Sequence, residues 1–249
     1  MNPVVCKLGG SVVTDKERPE TVDERALERA ADAVASTLEA GHVDDLVLVH
    51  GGGSFGHVHA SEHGVSTTDG THDARAVDAI HGAMKTLDEA VLAALLARGV
   101  PAVPVHPLST AHRDFDGALS LPTNQVRTML EEGFVPVLHG DLVAHLGKGA
   151  TVVSGDELVA DLARSLEADR IGLCSTVPGV LDDENRVIDR IESFADVEAV
   201  LGGSDATDVT GGMAAKVQAL LSLEAEASIF GLDELEAFLA GEEPGTTLE

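Results

Sequence analysis

Tryptophan and tyrosine are absent, and phenylalanine occurs only six times in 249 residues, so platforms for stacking nucleobases are scarce. Basic residues are also few: 16 against 43 acidic residues, a formal net charge of −27 at pH 7. A field of that sign repels nucleic acid and anionic membranes, so neither is an expected partner. Cys6 and Cys174 are the only cysteines, each inside an apolar run that reads as a buried strand. A bridge between them is not expected, which fits a reducing compartment. No apolar run reaches the roughly 18 residues of a membrane helix. The chain opens directly into a strand-like run, Pro3-Val4-Val5-Cys6-Lys7, without the pattern of a secretory signal. The expected location is the cytoplasm.

What is present narrows the field. With 44% hydrophobic residues, the chain can build one large α/β domain or two closely joined lobes. Its acids are spread along the sequence rather than gathered in a tail. That pattern resembles proteins of salt-saturated cytoplasm, the alternative being an ordinary acidic soluble protein. Against this background the five lysines stand out: Lys7, Lys16, Lys85, Lys148 and Lys216. Lys7 and Lys216 fall inside glycine-rich segments and Lys16 lies just beyond one.

Periodicity and punctuation predict strands at Pro3–Leu8, Asp45–Val49, Val100–Val105, Phe134–Leu138, Arg170–Cys174 and Ala227–Phe230. Helices are expected over Val22–Ala40, Asp73–Arg98, Pro122–Glu132, Asp156–Glu167, from Gly211-Gly212 to about Ala225, and over Asp233–Ala240. Asp141–Val153 reads as a hairpin turning at Gly147-Lys148-Gly149. Strands that alternate with helices imply an αβα sandwich around a mostly parallel sheet. The expected organisation is a single domain over 1–249, with soft lobes 1–145 and 146–249 parting near the hairpin. Ligands of such sheets bind at the carboxyl ends of the strands, where the glycine-rich segments fall.

Gly51-Gly52-Gly53-Ser54-Phe55-Gly56 matches G-x-G-x-x-G after a strand, but polar sequence and a long helix follow where a dinucleotide unit needs a strand ending in an acid. It nearly matches the P-loop, yet His57 and Val58 replace that motif's lysine and hydroxyl residue. What remains is backbone N–H groups beside a helix start, an anion site. Lys7-Leu8-Gly9-Gly10-Ser11, Ser154-Gly155-Asp156 and Asp208–Lys216, with Gly211-Gly212 inside it, repeat the feature. Four such turns, two with lysine, suit phosphoryl transfer between phosphate-bearing reactants, which needs positioning and positive charge.

At these residues the chain resembles the amino-acid kinase superfamily over nearly its whole length. Lys7–Lys16 together with His50–His57 resembles, within it, the isopentenyl phosphate kinase family, and Gly245-Thr246-Thr247-Leu248 resembles its last strand. The resemblance implies an acceptor lobe (1–145), an ATP lobe (146–249) and transfer from ATP to a prenyl monophosphate. It implies that Lys7 contacts the transferring group, Lys16 neutralises phosphate charge, and His57 hydrogen-bonds the acceptor phosphate. Asp156 would orient the two lysines, and Lys216 with Gly212 would hold the ATP phosphates. Leu8, Gly9, Gly10, Ser11, Gly53, Thr176 and Gly179 complete the implied ATP site. Gly52, Gly53, Gly140 and Gly155 join His57 on the acceptor side, with Ile80 and Met84 walling a prenyl pocket. Mg²⁺ would arrive with ATP, and a homodimer is in keeping with relatives. The chain departs from the relatives' Thr-Asp-Val-x-Gly segment at Thr176, where they carry the acid.

Other features point less sharply. His57, His59 and His63 form H-x-H-x₃-H without a clear fourth ligand, so no metal site is expected there. His50 reads as packing at a strand end, and His139-Gly140-Asp141 as either an acceptor-site wall or a turn. The stripe Val77, Ile80, Met84, Leu87, Val91, Leu95 has the spacing of a helix's core face. Rival readings are a kinase for an amino acid, UMP or a phosphonate, then a non-catalytic nucleotide sensor or storage protein, then a dinucleotide oxidoreductase.

Overall fold

The computed structural model describes residues 2–201 and 212–249, apart from the side chains of residues 199 and 200. The chain runs β1 (Val4–Leu8), α1 (Gly10–Val13), α2 (Glu24–Glu39), β2 (Leu46–His50), α3 (Gly53–Glu62), α4 (Ala74–Leu96), β3 (Ala102–Val105) and α5 (Pro107–Thr110). Then come β4 (His112–Arg113), β5 (Leu119–Ser120), α6 (Asn124–Glu131), β6 (Val135–His139), β7 (Asp141–His145), β8 (Gly149–Val153) and α7 (Gly155–Leu166). The last elements are β9 (Arg170–Ser175), β10 (Arg190–Ile191), α8 (Glu198–Leu201), α9 (Gly212–Leu221), β11 (Glu226–Gly231), α10 (Leu235–Leu239) and β12 (Thr246–Leu248).

β1, β2 and β6 are buried at every position, as strands covered on both faces must be. Among the described residues they belong to an eight-stranded sheet of order β10-β12-β11-β9-β1-β2-β6-β3, in which only the β11–β12 pair is antiparallel. Successive side chains alternate between two cores. Val5, Val47 and Ile171 pack under α7 and α9 with Leu158, Leu162 and Val217. Cys6, Leu46 and Leu48 pack under α2 and α4 with Val34, Leu87 and Val91. Both cysteines are free and buried, and burial pushes the Cys174 thiol up to about 12.

Capping follows the sequence closely. Asp23 and Asp73 accept from the backbone of Ala26 and Arg75 at the starts of α2 and α4. Ser154 and Glu157 form a reciprocal capping box on α7. The expected hairpin is β7–β8, with Gly147 and Gly149 at positive φ in its turn. It belongs to a second, four-stranded sheet of order β5-β4-β7-β8. Lys148, at its tip, donates to the Thr68 carbonyl at 2.8 Å.

Three differences from expectation have physical causes. The two-residue strands β4, β5 and β10 are too short to show any period. α3 starts inside the glycine run because tertiary contacts, rather than propensity, hold it there. The last expected helix divides into a 3-10 turn at Leu232–Glu234 and α10. Residues 208–211 of the fourth glycine segment lie outside the described residues.

Candidate active site

β9, β1 and β2 are neighbours and parallel, with Leu8 paired to both Cys174 and His50. Their carboxyl ends therefore deliver Ser175, Gly9 and Gly51 to one place. Two glycine turns interlock there. A Cβ on Gly10 would stand 2.2 Å from the Gly53 nitrogen, and one on Gly51 would stand 2.6 Å from the Gly10 nitrogen. Gly53 adopts φ +48, and a Cβ there would meet the Thr14 hydroxyl at 2.1 Å. That hydroxyl donates to the Gly10 carbonyl at 2.7 Å and accepts from the Ser54 amide at 3.0 Å. The glycines are thus required by backbone-to-backbone contact before any ligand is considered.

A cavity of about 300 Å³ opens over these turns. The first turns of α3, α7 and α9 reach it through Gly53, Gly155-Asp156 and Gly212-Met213, so three helix N-termini turn partial positive charge toward it. Lys7, 8% exposed, extends from β1 under Gly155, and its ammonium donates to the Asp156 carboxylate at 2.6 Å. Lys216 Nζ stands 3.6 Å from the other oxygen of Asp156. Burial raises the Asp156 carboxyl, and the charges of Lys7 and Lys216 outweigh it, holding the group below the usual carboxylate range. Asp156 is therefore ionised and engaged by two cations, an arrangement suited to aiming them rather than taking a proton.

The cavity also has an apolar wall. Ile80 and Met84 of α4, Ala60 of α3 and Val152 of β8 line it. Met84 sulfur lies against Gly56 and Gly52, which leave room for it. His57, exposed in the first turns of α3, lines the same space, as do Gly140 and Asp141.

Of the residues singled out by sequence, Lys7, Gly9, Gly10, Ser11, Lys16, Gly52, Gly53, His57, Ile80, Met84, Gly140, Gly155, Asp156, Thr176, Gly212 and Lys216 all line this cavity. Two do not. Leu8 points into the core at 2% exposure, and its carbonyl is bonded by the Gly51 amide. Gly179 packs against Thr246 and Val187, where a Cβ would stand 2.7 Å from each side chain. Val152 and Val153 of β8 are lining residues that the sequence marked only as hairpin, while Asp141, Ser154 and Met213 stood inside candidate motifs without being singled out as site residues. For Asp141 the signal was present, since His139-Gly140-Asp141 follows a strand as the other loops do. His59 of the H-x-H-x₃-H run is bonded to Glu20 and lies 3.7 Å from Glu62.

The amino acid kinase family model matches residues 2–229. Isopentenyl phosphate kinase of Haloferax volcanii is 64% identical over 248 residues, covering 100% of this chain and 99% of that protein. Isopentenyl phosphate kinase of Methanocaldococcus jannaschii is 32% identical, covering 98% of each. A crystal structure of an isopentenyl phosphate kinase superposes with a TM-score of 0.85 at 29% identity, covering 99% of this chain and 100% of that one.

Proposed function

The chain belongs to the amino acid kinase family, and from that premise we propose that it transfers the γ-phosphoryl group of ATP to isopentenyl phosphate, giving isopentenyl diphosphate and ADP. The observation that carries this reading is a single cavity lined both by the Lys7–Asp156–Lys216 cluster and by Ile80, Met84, Ala60 and Val152. An acceptor with a phosphate head and a short apolar tail matches both parts.

A phosphate oxygen of the acceptor attacks Pγ, and the bond from Pγ to the β–γ bridging oxygen breaks, its electron pair leaving on ADP. The acceptor is already ionised, so no base is required. Lys7 and Lys216, aimed by Asp156, neutralise the charge that spreads over the transferring group, and Lys16 adds to that field. The amides of Gly10, Ser11, Gly52, Gly53, Gly155 and Gly212 position the phosphates, and Thr176 lies on the nucleotide side. Asp156 and Asp141 are engaged by Lys7, Lys216 and His81, so Mg²⁺ arriving with ATP would be held mainly by phosphate oxygens and water and would offset charge on the transferring phosphates. We assign the acceptor to 1–145, which supplies Gly52, His57, Ile80, Met84 and Gly140. The nucleotide side falls to 146–249.

His57 separates acceptor from nucleotide chemistry. Beside the Gly52 and Gly53 amides, an imidazole offers the acceptor phosphate another donor. His57→Ala is expected to lower kcat/KM for isopentenyl phosphate at least about 100-fold, the scale of one oriented donor lost at a transferring group. The Kd for ATP should stay within a few-fold. His57→Gln, which keeps a donor, should fall between. Unchanged kcat/KM, or a collapse of ATP binding measured by calorimetry, would assign His57 elsewhere.

Salt adaptation is part of the same proposal, in keeping with a net charge of −27. The Debye length falls from about 10 Å at 0.1 M to about 3 Å at 1 M, which screens self-repulsion. Tm should rise steadily with KCl into the molar range; a Tm indifferent to KCl would remove this part of the account.

A further inference from the structure

Behind the acceptor end of the cavity lies a buried polar cluster that phosphoryl transfer does not use. The strand order brings it together. β2 and β6 end on His50 and His139, which pair in register, and β3 runs beside β6 with His106 immediately after its end. α4 crosses these ends and lowers Asp88 among the three imidazoles. The Asp88 side chain is 1% exposed, and its carboxylate oxygens lie 3.3 Å from His50 Nε2 and 3.9 Å from His106 Nδ1. His106 Nδ1 also lies 2.9 Å from His139 Nε2.

Tautomers follow from the neighbouring carbonyls. His139 Nδ1 lies 2.9 Å from the Gly140 carbonyl, which can only accept, so Nδ1 carries the proton and Nε2 presents a lone pair. His50 Nδ1 lies 3.1 Å from the Gly51 carbonyl and its Nε2 3.3 Å from an Asp88 oxygen, so both ring nitrogens already face acceptors. His106 and His139 thus meet beside a buried carboxylate, a place where a divalent cation would offset its charge. His50, held by those two acceptors, is not a ligand. Nor is Asp141 a competing ligand, since His81 Nδ1 bonds both of its oxygens at 3.0 and 2.9 Å. His81 packs edge-on to His106 with 5.9 Å between ring centres.

We propose that Asp88, His106 and His139, each offering one ligand atom within 4.8 Å of the others, bind a Zn²⁺-class divalent cation with a fourth position open to water. Two imidazoles and one carboxylate are the donor set of such ions, whose ligand bonds of about 2.0–2.2 Å require His106 Nδ1 and His139 Nε2, now 2.9 Å apart, to part slightly and admit the ion. His106 binds by moving its proton from Nδ1 to Nε2, with no net proton release. Its side chain, 30% exposed, is the route of entry to ligands that are otherwise closed off. The Gly140 carbonyl bonded to His139 is the outer group that fixes ring orientation. The ion pins α4 to the ends of β3 and β6, beside the Gly51 and Gly140 turns that line the cavity, and it is separate from the Mg²⁺ that enters on ATP.

The test uses the full, untagged chain, stripped with chelator and then dialysed against Zn²⁺ or Co²⁺ alone. One equivalent of Zn²⁺ per chain should be retained, and Co²⁺ should give the visible absorption of a low-coordinate histidine site. His106→Ala and the near-isosteric Asp88→Asn should each weaken Zn²⁺ retention at least tenfold. Far-UV circular dichroism confirms the fold of the His106 variant. His59→Ala, which removes the separate surface group near Glu20 and Glu62, should leave retention unchanged. Failure to retain stoichiometric metal overturns the proposal in favour of a proton shared within the cluster. Loss in His59→Ala with retention in His106→Ala overturns it in favour of surface binding.

Discussion

Lys7→Ala is expected to lower kcat by at least about 100-fold, the effect of removing one oriented charge from a water-poor transfer centre. The residue is 8% exposed, its side chain leaves the central strand β1, and it is fixed by a 2.6 Å bond to Asp156. Lys216 cannot substitute, because it reaches Asp156 from α9 at 3.6 Å and approaches from the other side of that carboxylate. A second consequence concerns pH. In the native chain the lysines hold the Asp156 pKa down, so the stabilisation it provides is present above the unfolded carboxylate pKa. That stabilisation is lost as pH falls through the lower folded value. Removing Lys7 takes away the largest opposing charge, so the acid limb of the Tm–pH profile should move to higher pH. A steady-state assay with parallel melting curves reads both effects. Near-native kcat would contradict the role given to Lys7.

Gly10→Ala should be nearly as damaging by a different route. Its Cβ would stand 2.2 Å from the Gly53 nitrogen and 2.7 Å from the Gly53 Cα, and neither backbone can yield without parting the two turns. Overpacking of this kind costs about 1–3 kcal/mol. A displacement near 1 Å at a transfer centre costs roughly 100-fold in rate. Gly82→Ala is the control: a Cβ there meets nothing within 4 Å, and the residue lies inside α4. Alanine at that helix position should stabilise by about 0.5–1 kcal/mol and leave turnover unchanged. If Gly10→Ala melts and turns over as Gly82→Ala does, the interlocked turns are not what shapes the site.

Much of this could be read from the residues, because the features that build the site are local. Continuous apolar runs such as Leu46-Val47-Leu48-Val49 mark strands buried on both faces, and Asp23, Asp73 and Ser154 mark helix starts. Lysines are conspicuous in a chain that otherwise avoids them. Long-range geometry was not legible. Nothing in Lys7-Leu8-Gly9-Gly10 says that Gly10 touches Gly53, so the glycines read as phosphate ligands when their first obligation is to each other. Leu8 and Gly179 were assigned to the site by their place in motifs. Alternation along β1 turns Leu8 inward, and Gly179 is spent on the contact with Thr246. The His50–Asp88–His106–His139 cluster was invisible for the same reason, since its members lie on three strand ends and a helix that only the sheet order unites.

Incubating the purified chain with MgATP and, separately, isopentenyl phosphate, acetylglutamate or UMP, and following ADP release with identification of the phosphorylated product, tests the central claim most directly. The account predicts isopentenyl diphosphate with isopentenyl phosphate and no product with the other two acceptors. Turnover of acetylglutamate or UMP, with none of isopentenyl phosphate, would contradict it.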